Sequence, residues 1–99
     1  MRYYLKVEPD AENDATEAAI WYNEQKTGLG DEFLDAIEAG LEKIQGNPFF
    51  YAVKYKQTRV AYTKQFSFGI HFNIEKSRIN ILAILHTSRN PQIWNKRTR

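Results

Sequence analysis

The residues with most chemical potential sit where an apolar run ends. Ile79 to Leu85 is almost continuously apolar, and His86 and Arg89 follow it directly, before Pro91, Trp94 and Arg97. An imidazole titrates near neutral pH and serves as general acid or base. A guanidinium stabilises the charge of a phosphorane. His86 with Arg59 and Arg89 would therefore suit cleavage of RNA through its own 2′-hydroxyl, His86 moving the proton and the two arginines holding the anion. The competing reading makes His86 a strand cap bonded to a backbone carbonyl and Arg89 structural. His71 alternates with Asn73 and Glu75 and is read as solvated. Trp94 reads as a lid over the core ahead of a stacking platform.

These residues belong to a charge asymmetry. Residues 1–50 hold four basic and eleven acidic side chains, whereas residues 51–99 hold ten basic ones and a single acid, Glu75. The second half should carry a positive field, suited to nucleic acid or an acidic protein partner. Lys54, Lys56, Arg59, Lys64, Arg89 and Arg97, with Tyr62 and Trp94 as aromatics among them, form the candidate binding surface. A cationic sheet face with a ring for stacking fits a phosphate backbone. No phosphate-binding Gly-rich loop, zinc spacing or nucleophile elbow is present, so no metal and no cofactor is expected. Cysteine is absent, which excludes disulfides and thiolate metal sites. The N-terminal residues lack a signal-peptide or membrane-span pattern, so a cytoplasmic protein that does not enter a membrane is expected.

The positioning elements follow from periodicity. The 99 residues make one domain, 1–99, with a single modest core. Tyr3 to Glu8 reads as a strand ended by Pro9, with Asp10 the N-cap of a first helix. Ala11, Ala15, Ala18 and Tyr22 share one helical face, and its small side chains allow close approach to a neighbour. Ile20 and Trp21 lie off that stripe, facing either the second helix or a partner. Gly28 is a candidate C′ residue for the first helix. A second helix spans about Asp31 to Gln45. Phe33, Leu34, Ile37, Leu41 and Ile44 form its apolar face, and Asp31, Asp35, Glu38 and Glu42 a solvated acidic stripe. The two helices form an αα-hairpin that Gly46-Asn47-Pro48 ends.

The remainder carries strand signal. Tyr51 to Lys56 reads as either strand or loop, and Arg59 to Lys64 as a strand. Phe66, Phe68, Ile70, Phe72 and Ile74 alternate with polar or small residues, which predicts one buried and one polar face. After a turn at Glu75-Lys76-Ser77, Ile79 to Leu85 is apolar on both faces and should be interior to the sheet. The predicted fold is α+β in the order β-α-α-β-β-β. Its helical hairpin covers one face of a small antiparallel sheet that ends in a meander.

Read in order, these features resemble the RelE/ParE superfamily, toxins of type II toxin–antitoxin systems also described as plasmid stabilisation proteins. The resemblance rests on Trp21-Tyr22, Gly28-Leu29-Gly30 with Phe33, Asn47-Pro48, Arg59, Phe66-Ser67-Phe68-Gly69-Ile70, and His86-Thr87-Ser88-Arg89-Asn90-Pro91 with Trp94. It implies the same hairpin-on-sheet fold and a cognate antitoxin that wraps and neutralises the toxin. It also implies growth inhibition, either by ParE-like poisoning of DNA gyrase or by RelE-like cleavage of mRNA on the ribosome. The second mode would use Arg59, His86 and Arg89. Trp94 stands where a tyrosine often lies in the cleaving members, and an indole has no phenolic hydroxyl to offer. The Trp-Tyr helix and the His-x-x-Arg-x-Pro ending look closer to the ParE-like side, so action on gyrase is favoured. The alternatives are mRNA cleavage or a degenerate, non-toxic member. The basic half predicts an acidic, amphipathic antitoxin segment.

Overall fold

The computed structural model describes residues 2–88. The chain forms β1 (Tyr4–Val7), α1 (Pro9–Gln25), α2 (Leu29–Gly46), a 3₁₀ turn (Pro48–Phe50), β2 (Val53–Tyr55), β3 (Thr58–Tyr62), β4 (Phe68–Glu75) and β5 (Arg78–His86). The five strands make one sheet in the order β1-β5-β4-β3-β2. Strands β2 to β5 pair antiparallel in sequence, as the meander requires. β1 joins β5 parallel, from Tyr4 opposite Arg78 to Val7 opposite Ile81, so the sheet as a whole is mixed. β5 is interior, which accounts for apolar side chains on both its faces. The stretch that read as strand or loop contributes β2, a three-residue edge strand. Among the described residues, no helix is long and apolar enough to cross a membrane.

The helices cover one face, α1 mainly over β5 and α2 over β3 and β4. Ala11 and Ala18 are buried on α1, so the small-residue stripe brings the helix close to its neighbours. On α2, Phe33, Ile37 and Ile44 are buried, whereas Leu34 sits at the margin, 41% exposed. The acidic stripe of α2 is solvent-facing throughout. An aromatic cluster closes the core at one end: Phe33 lies edge-on to Phe68 at 4.7 Å and to Phe66 at 5.4 Å, and Tyr22 meets Phe66 at 4.9 Å. Phe33 and Phe68, both buried, each stabilise the fold by roughly 1.5–3 kcal/mol through burial alone.

Three local readings change. Glu8, not Asp10, is the N-cap of α1, and Pro9 opens the helix, where a missing N–H costs nothing. Asp10 instead lies in the first turn, where its charge suits the helix N-terminus. Gly28 caps the start of α2 rather than the end of α1; its φ of 89° is a conformation glycine adopts without penalty. Phe66 and Ser67 precede β4 and both have positive φ, so the strand begins only at Phe68.

The alternating face of β4 is the largest difference. Gly69 and His71 are buried, so the first half of the strand is buried on both sides. His71 is not solvated: it is fully buried, and its Nδ1 lies 2.8 Å from the Tyr55 hydroxyl. An imidazole is compact enough to enter a core once a ring nitrogen finds a partner. That pairing depends on β2, the strand whose sequence signal was weakest.

β5 carries a bulge. His71 faces Ala83, but Phe72 faces Ile81, leaving Leu82 as the extra residue. β1 reaches along β5 only as far as Ile81 before the chain turns into α1. The Ile84 N–H, past the end of β1, donates to Asp14 Oδ2 of α1 at 3.1 Å. A helix side chain thus takes over where the strand stops, because a buried backbone donor must be satisfied.

Candidate functional site

β5 delivers His86 to the end of the sheet, opposite Phe68. The imidazole meets the Phe68 ring edge-to-face at 5.4 Å. Its Nδ1 accepts the Ser88 backbone N–H at 3.2 Å and lies 2.8 Å from the Ser88 hydroxyl. A nitrogen that accepts a backbone N–H carries no proton, so the neutral ring holds its proton on Nε2. The histidine caps the strand by accepting a backbone N–H, not by bonding a backbone carbonyl as the sequence reading has it, and its Nε2–H is left to donate elsewhere.

A cleft of about 550 Å³ lies beside it, lined by Glu17, Trp21 and Tyr22 of α1 together with Phe68, His86 and Ser88. Trp21 stands edge-on to Tyr22 at 5.1 Å and is 55% exposed. It projects from the side of α1 that the alanine stripe does not use, as does the exposed Ile20. Both are more than half exposed, so neither is covered by the second helix. Burial raises the Tyr22 pKa, so its phenol stays protonated. The cleft combines a broad ring face, a carboxylate and an imidazole N–H.

Arg59 lies elsewhere. Its Nη1 donates to the Tyr51 carbonyl at 2.6 Å, and its guanidinium sits 5.0 Å over the Phe49 ring. It thereby holds the link between the helical hairpin and β2. Arg59 faces Phe72, and His86 faces Phe68, from opposite sides of β4. Those positions differ by about 13 Å along the strand and about 10 Å across it. Two groups acting on one phosphate must both come within about 3 Å of it. The described residues do not bring Arg59 and His86 together.

The exposed cations are peripheral. Lys54 on β2 lies 5.9 Å over the ring of Tyr62, which is itself 52% exposed. Lys56 occupies the β2–β3 turn with positive φ, and Lys64 the β3–β4 loop. Lys54 and Lys56 lie at the β2 edge, whereas Lys64 follows the far end of β3 and shares a depression with Ala36, Ala39 and Gly40 of α2. Arg89, Pro91, Trp94 and Arg97 lie outside the described residues.

Sequence reasoning passed over a polar cluster on the sheet face opposite the helices. Asn80 Nδ2 donates to Asn73 Oδ1 at 2.8 Å and to Glu75 Oε1 at 2.5 Å, and Arg78 Nη2 donates to the same Oε1 at 2.9 Å. The Arg78 and Asn80 bonds, then the Arg78 charge, hold the Glu75 carboxyl below its ordinary pKa. The Glu75 carboxylate in turn raises that of Arg78. A signal for this cluster existed: a tight turn at Lys76-Ser77 sets Glu75 against Arg78 and Asn73 against Asn80.

No family model and no curated relative matches the chain. Among solved structures, a chain described as the chromosomal ParDE TA system from P. aeruginosa superposes with a TM-score of 0.73. The match covers 86% of this chain and 96% of that one at 18% identity. At that identity the likeness is one of fold: the strand, helical hairpin and sheet described above are the architecture the RelE/ParE resemblance implied.

Proposed function

We propose that the protein is the toxin of a type II toxin–antitoxin pair and acts by binding, in the ParE manner, on DNA gyrase. The observation that carries this reading is the likeness in fold to a ParDE chain over 86% of this chain. The site geometry agrees with it. Arg59 is committed to Tyr51 and Phe49, far from His86, so the described residues offer a recognition surface in preference to an assembled phosphodiesterase. Trp21, which lines the His86 cleft, and its exposed neighbour Ile20 are the side chains expected to meet the target. Aromatic anchors of this kind dominate protein interfaces. The antitoxin is expected to be acidic and amphipathic and to meet Lys54, Lys56 and Lys64. Its affinity should fall as salt rises.

The test is a supercoiling assay with purified gyrase. The protein should inhibit supercoiling, and Trp21→Ala should relieve inhibition while the melting temperature stays put. Full supercoiling at saturating protein would sink the gyrase reading. Ribosome-dependent mRNA cleavage is the second reading, favoured by the His86 Nε2–H beside an open cleft. It requires that His86→Ala and Arg89→Ala each abolish cleavage in a folded protein that still binds antitoxin.

A further inference from the structure

The cleft between α1 and the exit of β5 offers three different surfaces to one ligand. Trp21 supplies a wall. Its indole is 55% exposed yet braced, standing edge-on to the Tyr22 ring at 5.1 Å with the two planes 79° apart. A ring held by an edge contact keeps a face free for a second flat group. Glu17 lies one helical turn before Trp21, on the same side of α1, and lines the same cleft. Its carboxylate accepts hydrogen bonds. His86 supplies the opposite character. Its Nδ1 is occupied by the Ser88 N–H, so the ring proton sits on Nε2 and is available to donate. Among the described residues that line the cleft there is no lysine and no arginine.

These surfaces specify a ligand that is flat, carries N–H groups for the carboxylate and carries an acceptor for the imidazole N–H. A phosphate or carboxylate ligand fails, because the carboxylate of Glu17 would repel it and no cation of the lining would hold it. An alkylammonium would suit Trp21 and Glu17, but it has no acceptor to give His86. The hydrogen-bonding edge of a nucleobase has all three properties, and stacking with edge recognition is how unpaired bases are read. The bases differ in what they offer a carboxylate. Adenine, cytosine and uracil each present one donor group there. Guanine presents N1–H and N2–H side by side, which a carboxylate takes in a two-bond fork, and its O6 acceptor lies next to them. A cleft of about 550 Å³ is of the size that small-molecule sites have. With no cation in the lining, a phosphate attached to the base would stay at the mouth, in solvent.

We propose that this cleft is a guanine-binding site: the base stacks on Trp21, Glu17 accepts from its N1–H and N2–H, and His86 Nε2–H donates to its O6. The proposal goes beyond the toxin reading and does not depend on which target the protein acts on. A free nucleotide and a single-stranded nucleic acid both supply the base, so the probes are GMP, AMP and an octauridylate with one central guanine. Each is titrated into the full-length ¹⁵N-labelled protein. GMP should shift the Trp21 indole N–H signal, identified by its loss in Trp21→Phe, in a saturable way. Its affinity should exceed that of AMP at least about tenfold, the discrimination expected of a two-bond pair. Glu17 is exposed, so Glu17→Gln leaves the fold intact; it should bring GMP and AMP within threefold of each other. Trp21→Ala should weaken both nucleotides at least fivefold. Glu38→Gln, on the solvent-facing stripe of α2, is the control and should change neither. Absence of a saturable shift at 10 mM GMP, equal affinities for GMP and AMP, or a preference that survives Glu17→Gln overturns the site. Binding of the octanucleotide more than tenfold tighter than GMP assigns the base to nucleic acid, and weaker binding assigns it to a free nucleotide; the site stands in both cases. Inhibition of supercoiling without guanine binding would reject the site and leave the toxin reading. Guanine binding with full supercoiling would reject action on gyrase and leave the site.

Discussion

Gly30 sets the α2 backbone directly against that of α1, and replacing it with alanine should be the most damaging glycine substitution in the hairpin. A Cβ at position 30 would collide with the Ala19 carbonyl oxygen and lie 2.7 Å from Asn23 Cγ. The first obstacle is backbone, so no rotamer change relieves it. The Gly30 N–H also donates to Asn23 Oδ1 at 2.8 Å, a bond any separation of the helices would lengthen. Overpacking costs about 1–3 kcal/mol and the hydrogen bond about 0.5–1.5 kcal/mol. Alanine's better helix propensity returns up to about 1 kcal/mol. A net loss of about 2–3 kcal/mol follows from those terms, or a fall in melting temperature of about 10–20 °C for a domain of this size. Gly46 supplies the control. It ends the same helix, and an added Cβ there meets nothing within 4 Å. Gly46→Ala should leave stability unchanged or raise it by up to about 1 kcal/mol. Urea unfolding of both variants, at unchanged m-value, is the measurement. A Gly30→Ala loss below about 0.5 kcal/mol, or shifts of the same sign and size in both variants, would refute the close-approach argument.

Three further outcomes are expected. Phe33→Ala removes a fully buried ring that touches Tyr22, Phe66 and Phe68, and should cost about 3–5 kcal/mol in equilibrium unfolding. Tyr55→Phe deletes the hydroxyl bonded to buried His71 and should cost about 1–2 kcal/mol. Amide exchange in the short strand β2 should quicken before that in β4. Glu75 has a folded pKa below its unfolded value, so its stabilising contribution is complete above the ordinary carboxylate range and is lost as pH falls through the lowered folded pKa. Glu75→Gln should therefore flatten the decline of stability below about pH 4.3, and added salt should shrink the difference, since the group is exposed. An identical acid limb in both proteins would show that the Arg78 and Asn80 bonds do not bias its titration.

What the sequence disclosed depended on whether the deciding interaction was local. The alanine stripe of α1, the apolar face of α2 and the return strand at Ile79 could be read from spacing, because burial follows the period of the element. The burial of His71 could not. It depends on Tyr55, which comes from an edge strand three residues long, and on a sheet order in which β4 is interior. Asp14 was invisible for the same reason, since its role arises only because β1 ends beside Ile81. His86, the most conspicuous chemical residue, was placed correctly at the strand exit, but its separation from Arg59 follows from register across β4 and has no sequence signature. The Asn73–Asn80 pair was within reach, because a tight turn sets cross-strand partners on its own; two neutral amides simply drew less attention than the cations.

The parallel pairing of β1 with β5 has a consequence for biosynthesis. The first strand to leave the ribosome must wait for the last one before it can pair, because its partners run from Arg78 to Ile81. Until then the helical hairpin can form, being local, while the inner edge of β5 is bare and Ile79 and Ile81 have no cover from the N-terminal side. Completion of the sheet therefore waits until β5 has been made and has left the ribosome. Truncation anywhere before β5 would release a helical fragment with an unclosed sheet, a substrate for proteolysis instead of a partially active protein.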